Sequence, residues 1–133
     1  MNIREDAIDK HVACCSILKD NAYHSLFVSY HINARCAYCK KYMNRSRYKS
    51  GASEEDMRLI QRKSCQNCPI LWMTGTPCCL LPEMEEMLQI EDRFSPESED
   101  SIGDQMKPLY KSWLQKIGFY GDVVKRVPEI AKW

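Results

Sequence analysis

The sequence predicts a small, mostly α-helical domain with little β-structure, organised around a four-cysteine zinc site. The chain has 133 residues, of which 44% are hydrophobic and 28% are charged, and this is the size and composition of one globular domain. Apolar residues recur at helical spacing in several segments. Two Cys-x-x-Cys pairs, among eight cysteines in all, are typical ligands of a structural metal ion. We therefore expect residues 1–133 to form a single metal-stabilised domain.

The first predicted element is a helix over residues 3–19. Asn2 is a suitable cap, and Glu5 stands at the reciprocal position of a capping box. His11 and Cys15 lie one turn apart, and we interpret Cys14 and Cys15 as core thiols beside a surface histidine. Residues 22–34 fit either a helix or a strand, and the helix is weakly favoured. The apolar stripe of the first helix consists of Ile8, Val12, Cys15 and Leu18.

The middle of the chain carries two further helix starts and one predicted loop. Ser53 precedes three acidic residues, which predicts a helix to about residue 63. Pro82 suits the first turn of a short helix that carries Met84, Met87 and Leu88. Residues 93–103, rich in serine and acidic residues, are predicted to be a flexible acidic loop.

Residues 104–133 are predicted to be a C-terminal helical segment. An amphipathic helix is stopped by Gly118, and a short helix or turn follows at 121–127, before Pro128. We expect the first of these to pack on the helix at 3–19. Its apolar stripe consists of Met106, Leu109, Tyr110, Trp113, Leu114 and Ile117.

The cysteines are best explained by a metal ion. The first residues lack the bases and apolar run of a signal peptide, and no segment has the roughly 20 apolar residues that a membrane span requires. We therefore expect a cytoplasmic protein (in the host cytoplasm if it is viral), monomeric or a small homo-oligomer, with no membrane contact. In a reducing compartment, paired cysteines favour metal binding over disulfides.

The predicted ligands are the two Cys-x-x-Cys pairs, which are separated by 25 residues. Two thiolates three positions apart can bind one tetrahedral Zn²⁺, and two such pairs complete its coordination. An iron–sulfur cluster is the alternative, because Cys78 or Cys79 supplies a further thiol nearby. A redox dithiol is less favoured, because no βαβ pattern surrounds either pair. The predicted metal ligands are Cys36, Cys39, Cys65 and Cys68, with Cys78 and Cys79 as candidate extra ligands.

The order of these motifs resembles a pattern in short, largely uncharacterised bacteriophage and prophage proteins. In them a C-A-x-C motif is followed by C-x-x-C-P-[IV], then T-G, then a further Cys and a Pro. Here the pattern covers residues 35–82, about a third of the chain, although Leu80 and Leu81 replace the residues that often follow the last Cys. The resemblance implies a small metal-binding protein of a virus or mobile element, with no assigned function.

A basic arm, defined here as residues 40–49, follows the first cysteine pair directly. Residues 40–63 hold eight bases and three acids, a local charge of +5, although the whole chain is only +1. Bases neutralise phosphates and aromatic rings stack on unpaired bases, so the arm is a candidate nucleic-acid-binding segment; the alternative is a solvated loop. The candidate contacts are Lys40, Lys41, Tyr42, Arg45, Arg47, Tyr48 and Lys49.

The second candidate partner is a host protein. Residues 83–104 hold nine acids and one base, a local charge of −8. This segment and the helix at 104–117 offer a surface for a basic protein, although a soluble linker is the simpler interpretation of the acidic segment. In either case the function predicted is binding and not catalysis.

Signals for an enzyme are weak. The sequence has no phosphate-binding glycine loop, no His-Glu-x-x-His and no Gly-x-Ser-x-Gly, and no catalytic residue is assigned. A zinc-scaffolded nuclease is the enzymatic alternative, but no histidine follows His31.

Overall fold

The structure is a computed structural model. It describes residues 3–20, 68–93 and 99–133, with seven further single positions: Val28, Ile32, Tyr38, Ser53, Glu55, Asp56 and Leu59. Within these residues every regular element is helical and no strand occurs, which confirms a mostly α-helical fold. The elements are α1 (Ile3–Lys19), α2 (Pro69–Thr74), the 3₁₀ helix η1 (Cys78–Leu80), α3 (Pro82–Asp92), α4 (Glu99–Lys116), α5 (Tyr120–Arg126) and the 3₁₀ helix η2 (Pro128–Lys132).

Local sequence signals explain most helix ends. Helix α1 has the predicted bounds, and Pro82 opens α3 as expected. Gly118 ends α4 with a positive φ of 84°, while the Phe119 amide donates to the Leu114 carbonyl at 3.0 Å and the Gly118 amide to Gln115 at 3.3 Å. These two bonds form a Schellman cap, which requires a left-handed residue and therefore favours glycine.

Two further predicted segments, residues 22–34 and the helix after Ser53, are described at a few positions each. Val28 and Ile32 have helical backbone and are buried, in agreement with the weakly favoured helix over residues 22–34. The Asp56 amide donates to Ser53 Oγ at 3.1 Å, the cap expected at the start of the next helix. The remainder of both segments lies outside the described residues.

The core is built around α4. Its chief partner is α3, which contributes Met84, Met87 and Ile90 to the buried set. Helix α1 contacts α5 and reaches α4 through His11, whose ring centroid lies 5.5 Å from that of Trp113. The expectation that α4 packs on α1 is therefore confirmed only in part, because α1 contacts α4 through His11 whereas most of the contacts of α4 are with α3.

The prediction of a flexible acidic loop over residues 93–103 is wrong in part. Helix α4 begins at Glu99, so residues 99–103 are helical, and residues 94–98 lie outside the described residues. The apolar stripe starts one turn earlier than expected, because Ile102 and Gly103 are buried in line with Met106. Tertiary burial of this turn outweighs a local composition typical of loops.

Three ion pairs join α1 to the C-terminal elements. The charges on α1 alternate in sign from one pair to the next. If α1 slid so that a side chain faced the partner of its neighbour, like charges would meet. All six side chains are substantially exposed, and the pairs therefore favour one register more than they add stability. The pairs are Arg4–Asp122, Asp9–Arg126 and Lys19–Glu129.

Candidate metal centre

The structure describes only part of the predicted metal site. Cys68, Cys78 and Cys79 are described, whereas Cys36, Cys39 and Cys65 lie outside the described residues. The seven candidate nucleic-acid contacts, Lys40, Lys41, Tyr42, Arg45, Arg47, Tyr48 and Lys49, lie outside them as well. In the part of the chain that is described, no group of three or more His, Cys, Asp or Glu side chains is arranged to hold a metal ion.

Cys68 stands at the N-terminus of α2. It is the N-cap residue, with extended φ and ψ of −79° and 126°, and Pro69 occupies the first helical turn. Proline suits this position because its φ is already helical and it has no amide to satisfy. Cys68 is buried, and a cysteine thiolate is a common ligand of structural zinc.

A tight turn after α2 leads the chain back along it. Gly75 adopts a φ of 77°, and its amide donates to the Leu71 carbonyl at 2.7 Å. The chain then enters η1, which contacts α2. The indole Nε1–H of Trp113 donates to the Cys78 carbonyl at 2.9 Å, and the Cys78 side chain packs against the core. The 3₁₀ helix η1, which begins at Cys78, is thus attached to α4.

Tyr38, which lies between the two cysteines of the first pair, is inserted into the core. It is only 9% exposed, although residues between two zinc ligands usually face solvent in small sites. Its ring centroid lies 5.9 Å from that of Phe119, and its side chain interacts with the guanidinium of Arg4. Tyr38 therefore packs against the turn between α4 and α5.

A side chain of α2 reaches the same turn. A Cβ atom added to Gly118 would lie 2.8 Å from Cε of Met73, so the Met73 side chain reaches Gly118 from the last turn of α2. Gly118 and Phe119, which we call the α4–α5 turn, therefore contact a residue of the first cysteine motif and a residue of the helix that the second motif begins. The sequence analysis missed this arrangement. The only signal for it was an aromatic residue inside a Cys-x-x-Cys pair.

The two cysteines of α1 are unsuited to metal binding. Burial raises the pKa of Cys14, and it raises that of Cys15 to about 12, so both remain protonated thiols at neutral pH. This confirms that they are core residues. The neighbouring His11 was predicted to be a surface residue. This prediction is wrong, because the exposed fraction of His11 is 0%.

Part of the acidic segment has an internal role. Glu83 is buried and accepts hydrogen bonds from Ser112 Oγ at 2.7 Å and Lys116 Nζ at 2.9 Å. Burial alone would raise the pKa of Glu83, but these hydrogen bonds lower it overall. Glu91 is also buried and accepts the Val28 amide at 2.6 Å. These two carboxylates stabilise the fold and are not displayed to a partner.

Comparison of this chain with protein-family models, with curated proteins and with solved structures finds no match. None of the helices in the described ranges is long and apolar enough to cross a membrane. Functional inference therefore rests on the chemistry and geometry of the chain itself.

Proposed function

We propose that this chain is a non-enzymatic, metal-stabilised binding protein. In this proposal Cys36, Cys39, Cys65 and Cys68 bind one structural Zn²⁺, and the basic arm binds nucleic acid. The observation that carries the proposal is the convergence of Tyr38 and Met73 on the α4–α5 turn. Tyr38 is covalently adjacent to Cys39, and Cys68 directly precedes α2, so one described residue of each cysteine motif is held by the helical scaffold.

The donor set favours zinc and a structural role. Four thiolates match the tetrahedral coordination of Zn²⁺, with Zn–S distances of about 2.3 Å. A closed four-thiolate site supplies folding energy and leaves no open position for a substrate. Cys68 is one thiol of the second Cys-x-x-Cys pair and occupies the N-cap position of α2.

Cobalt substitution tests the ligand set. Co²⁺ in a four-thiolate site gives intense sulfur-to-metal charge-transfer and d–d absorption bands. We expect Cys36→Ser and Cys68→Ser each to weaken these bands and lower metal affinity. Cys14→Ser is the matched control, because Cys14 is a buried thiol of α1 and should leave the spectrum unchanged. An unchanged spectrum in Cys36→Ser contradicts the proposed ligand set.

Nucleic acid is favoured over a host protein as the partner. The protein-partner hypothesis relied on the acidic segment and on an unpaired apolar helix. Instead, Glu83 and Glu91 are buried with internal partners, and the apolar stripe of α4 is buried within the chain. The host-protein hypothesis therefore loses two of its nine acids and most of its apolar face, although Glu85, Glu86, Asp92 and Asp104 remain exposed.

Salt-dependent binding to a single-stranded oligonucleotide tests this partner. Changing Arg45, Arg47 and Lys49 together to Ala should weaken binding and reduce the slope of log K against log salt by about two units, because each released counterion contributes about 0.7. The control changes Lys107, Lys125 and Lys132 to Ala, removing the same charge from the C-terminal elements. Equal effects of the two triple variants would contradict a specific role of the arm. No binding by the wild-type protein at low salt would favour the host-protein alternative.

A further inference from the structure

The 3₁₀ helix η1 begins with two adjacent cysteines, Cys78 and Cys79. Both residues are partly exposed, whereas Cys14, Cys15 and Cys68 are buried. A buried cysteine is inert toward reagents in solution, and a partly exposed one can react. Among the described cysteines, the adjacent pair in η1 is therefore the one that a thiol reagent can reach.

The carbonyl of Cys78 joins η1 to α4. It accepts the indole Nε1–H of Trp113 at 2.9 Å and the Leu81 amide at 3.4 Å. The Leu80 amide donates to the Pro77 carbonyl at 2.9 Å and completes the 3₁₀ turn. Trp113 is only 2% exposed, so its indole donor lies in the core. The orientation of the peptide group between the two cysteines therefore decides whether this donor keeps its partner.

A disulfide between the two cysteines is incompatible with η1. Three residues complete one turn of a 3₁₀ helix, so the side chains of adjacent residues point about 120° apart around its axis. A bond between Cys78 and Cys79 would close a small ring that contains the peptide group between them. Closing this ring changes the torsion angles on both sides of that peptide group and rotates its carbonyl. Disulfide formation would therefore break the hydrogen bond from Trp113.

Such a disulfide would be easily reversed. The Cα atoms of adjacent residues are about 3.8 Å apart, whereas those of disulfide-bonded residues are usually about 4.4–6.8 Å apart. A disulfide between neighbours is therefore strained, and strained disulfides are reduced readily. This property suits a regulatory disulfide and not a structural one.

We propose that Cys78 and Cys79 form a reversible thiol–disulfide switch that responds to a low-molecular-weight disulfide, RS–SR, and releases η1 from Trp113. One cysteine thiolate attacks a sulfur of RS–SR, forms a mixed disulfide and expels RS⁻. The other thiolate attacks the protein sulfur of the mixed disulfide, so that the Cys78–Cys79 bond forms and the second RS⁻ leaves. The cysteine pair loses two electrons and two protons, and RS–SR is reduced to two RSH. The switch requires no metal at the four predicted ligands.

Peptide mapping after exposure to oxidised glutathione tests the bond. The remaining thiols of the full chain are alkylated, and chymotrypsin then cuts after Trp72, which separates the pair from Cys65 and Cys68. The peptide with Cys78 and Cys79 should lose two hydrogen atoms, escape alkylation and regain both thiols with dithiothreitol. Cys78→Ser should stop at a mixed disulfide of glutathione with Cys79. Alkylation of both cysteines in the exposed wild type, or a disulfide from either one to another cysteine, would overturn the proposal.

The indole signal of Trp113 tests the structural consequence. In NMR spectra of the ¹⁵N-labelled full chain, this signal is assigned by its loss in Trp113→Phe. Oxidation should shift it and speed exchange of Nε1–H by about fivefold or more, the factor expected for the loss of one hydrogen bond. The double variant Cys78→Ser/Cys79→Ser is the matched control, and glutathione should leave its indole signal unchanged. Cys14→Ser should respond as the wild type does.

Two results would overturn the switch even if oxidised glutathione reacts with the protein. A disulfide between Cys78 and Cys79 that leaves the Trp113 signal and its exchange rate unchanged would show that η1 tolerates the bond. An equal response of the wild type and the double variant would assign the change at Trp113 to other cysteines. Neither result bears on the proposed metal site, because its four predicted ligands are other residues.

Discussion

Acid should destabilise this protein through His11. The ring is completely buried, its Nδ1 lies 2.8 Å from the Tyr110 hydroxyl, and its Nε2 has no hydrogen-bond partner among the described residues. Burial, aided by the positive charge of Lys10, lowers the pKa of His11 from 6.5 to about 3. The folded protein therefore keeps this ring neutral at pH values where the unfolded chain protonates it.

The size and sign of the effect follow from that difference in pKa. Above pH 6.5 both states are neutral, and the stability is fully present. As the pH falls below 6.5 the unfolded state gains the proton, and stability is lost at about 1.4 kcal/mol per pH unit until the folded ring titrates near pH 3. Between pH 7 and pH 5 the expected loss is about 2 kcal/mol.

Urea unfolding at pH 7, 6 and 5, followed by tryptophan fluorescence, measures this loss. His11→Asn retains an acceptor for the Tyr110 hydroxyl but has no group that titrates in this range. It should lose about 2 kcal/mol less stability than the wild type between pH 7 and pH 5. Tyr110→Phe is the control, because it removes the hydrogen bond and leaves His11 buried, so its pH dependence should remain.

Comparing slopes removes the contribution of groups that all three proteins share, such as the thiolates of a metal site. The explanation fails if the wild type and His11→Asn lose stability in parallel as the pH falls.

Three substitutions test particular contacts by chemical denaturation. Gly118→Ala and Gly75→Ala should each destabilise by about 1–2 kcal/mol, because both glycines have positive φ; the new Cβ at Gly118 would meet only the end of the exposed Met73 side chain, which can move aside, and a neutral effect at either position would contradict its left-handed conformation. Glu83→Gln should cost about 1 kcal/mol, because its partner Lys116 is half exposed, and no loss would contradict an internal role for Glu83. Trp113→Phe removes the indole donor of the Cys78 carbonyl, which keeps only the longer bond from the Leu81 amide at 3.4 Å, and should cost about 1 kcal/mol; a neutral effect would contradict a stabilising role of the indole hydrogen bond.

Local signals in the sequence were sufficient to predict several helices. Proline at Pro82 and glycine at Gly118 act on their own neighbours, so the start of α3 and the end of α4 could be predicted without knowledge of the fold. The bounds of α1 followed from its cap and its apolar spacing. Such features depend on residues within one or two turns.

Features that depend on distant contacts were predicted less well. The burial of His11 is decided by Tyr110, which lies 99 positions away, and no local pattern distinguishes a core histidine from a surface one. The early start of α4 depends on packing of Ile102, although the surrounding composition is acidic and typical of a loop. The pairing of α3 with α4 likewise depends on tertiary packing, because α1 and α3 both have an apolar face that could pack against α4.

The candidate metal ligands were predicted from the spacing of the cysteines. The contacts of Tyr38 with the helices were not predicted. Two Cys-x-x-Cys pairs identify themselves in the sequence because metal geometry fixes the separation of the ligands within each pair. The role of Tyr38 depends instead on Phe119 and Arg4, which are 81 and 34 positions away along the chain. Contacts of this kind have no signature in sequence spacing.

Metal content of the purified full chain is the most direct test of the central claim. Elemental analysis combined with native mass spectrometry should find one zinc ion per wild-type chain, and the ion should be lost in Cys36→Ser and retained in Cys14→Ser. Iron with inorganic sulfide and a brown colour would instead identify a cluster. A wild-type protein that is folded and contains no metal would contradict the claim that its cysteine pairs form a structural metal site.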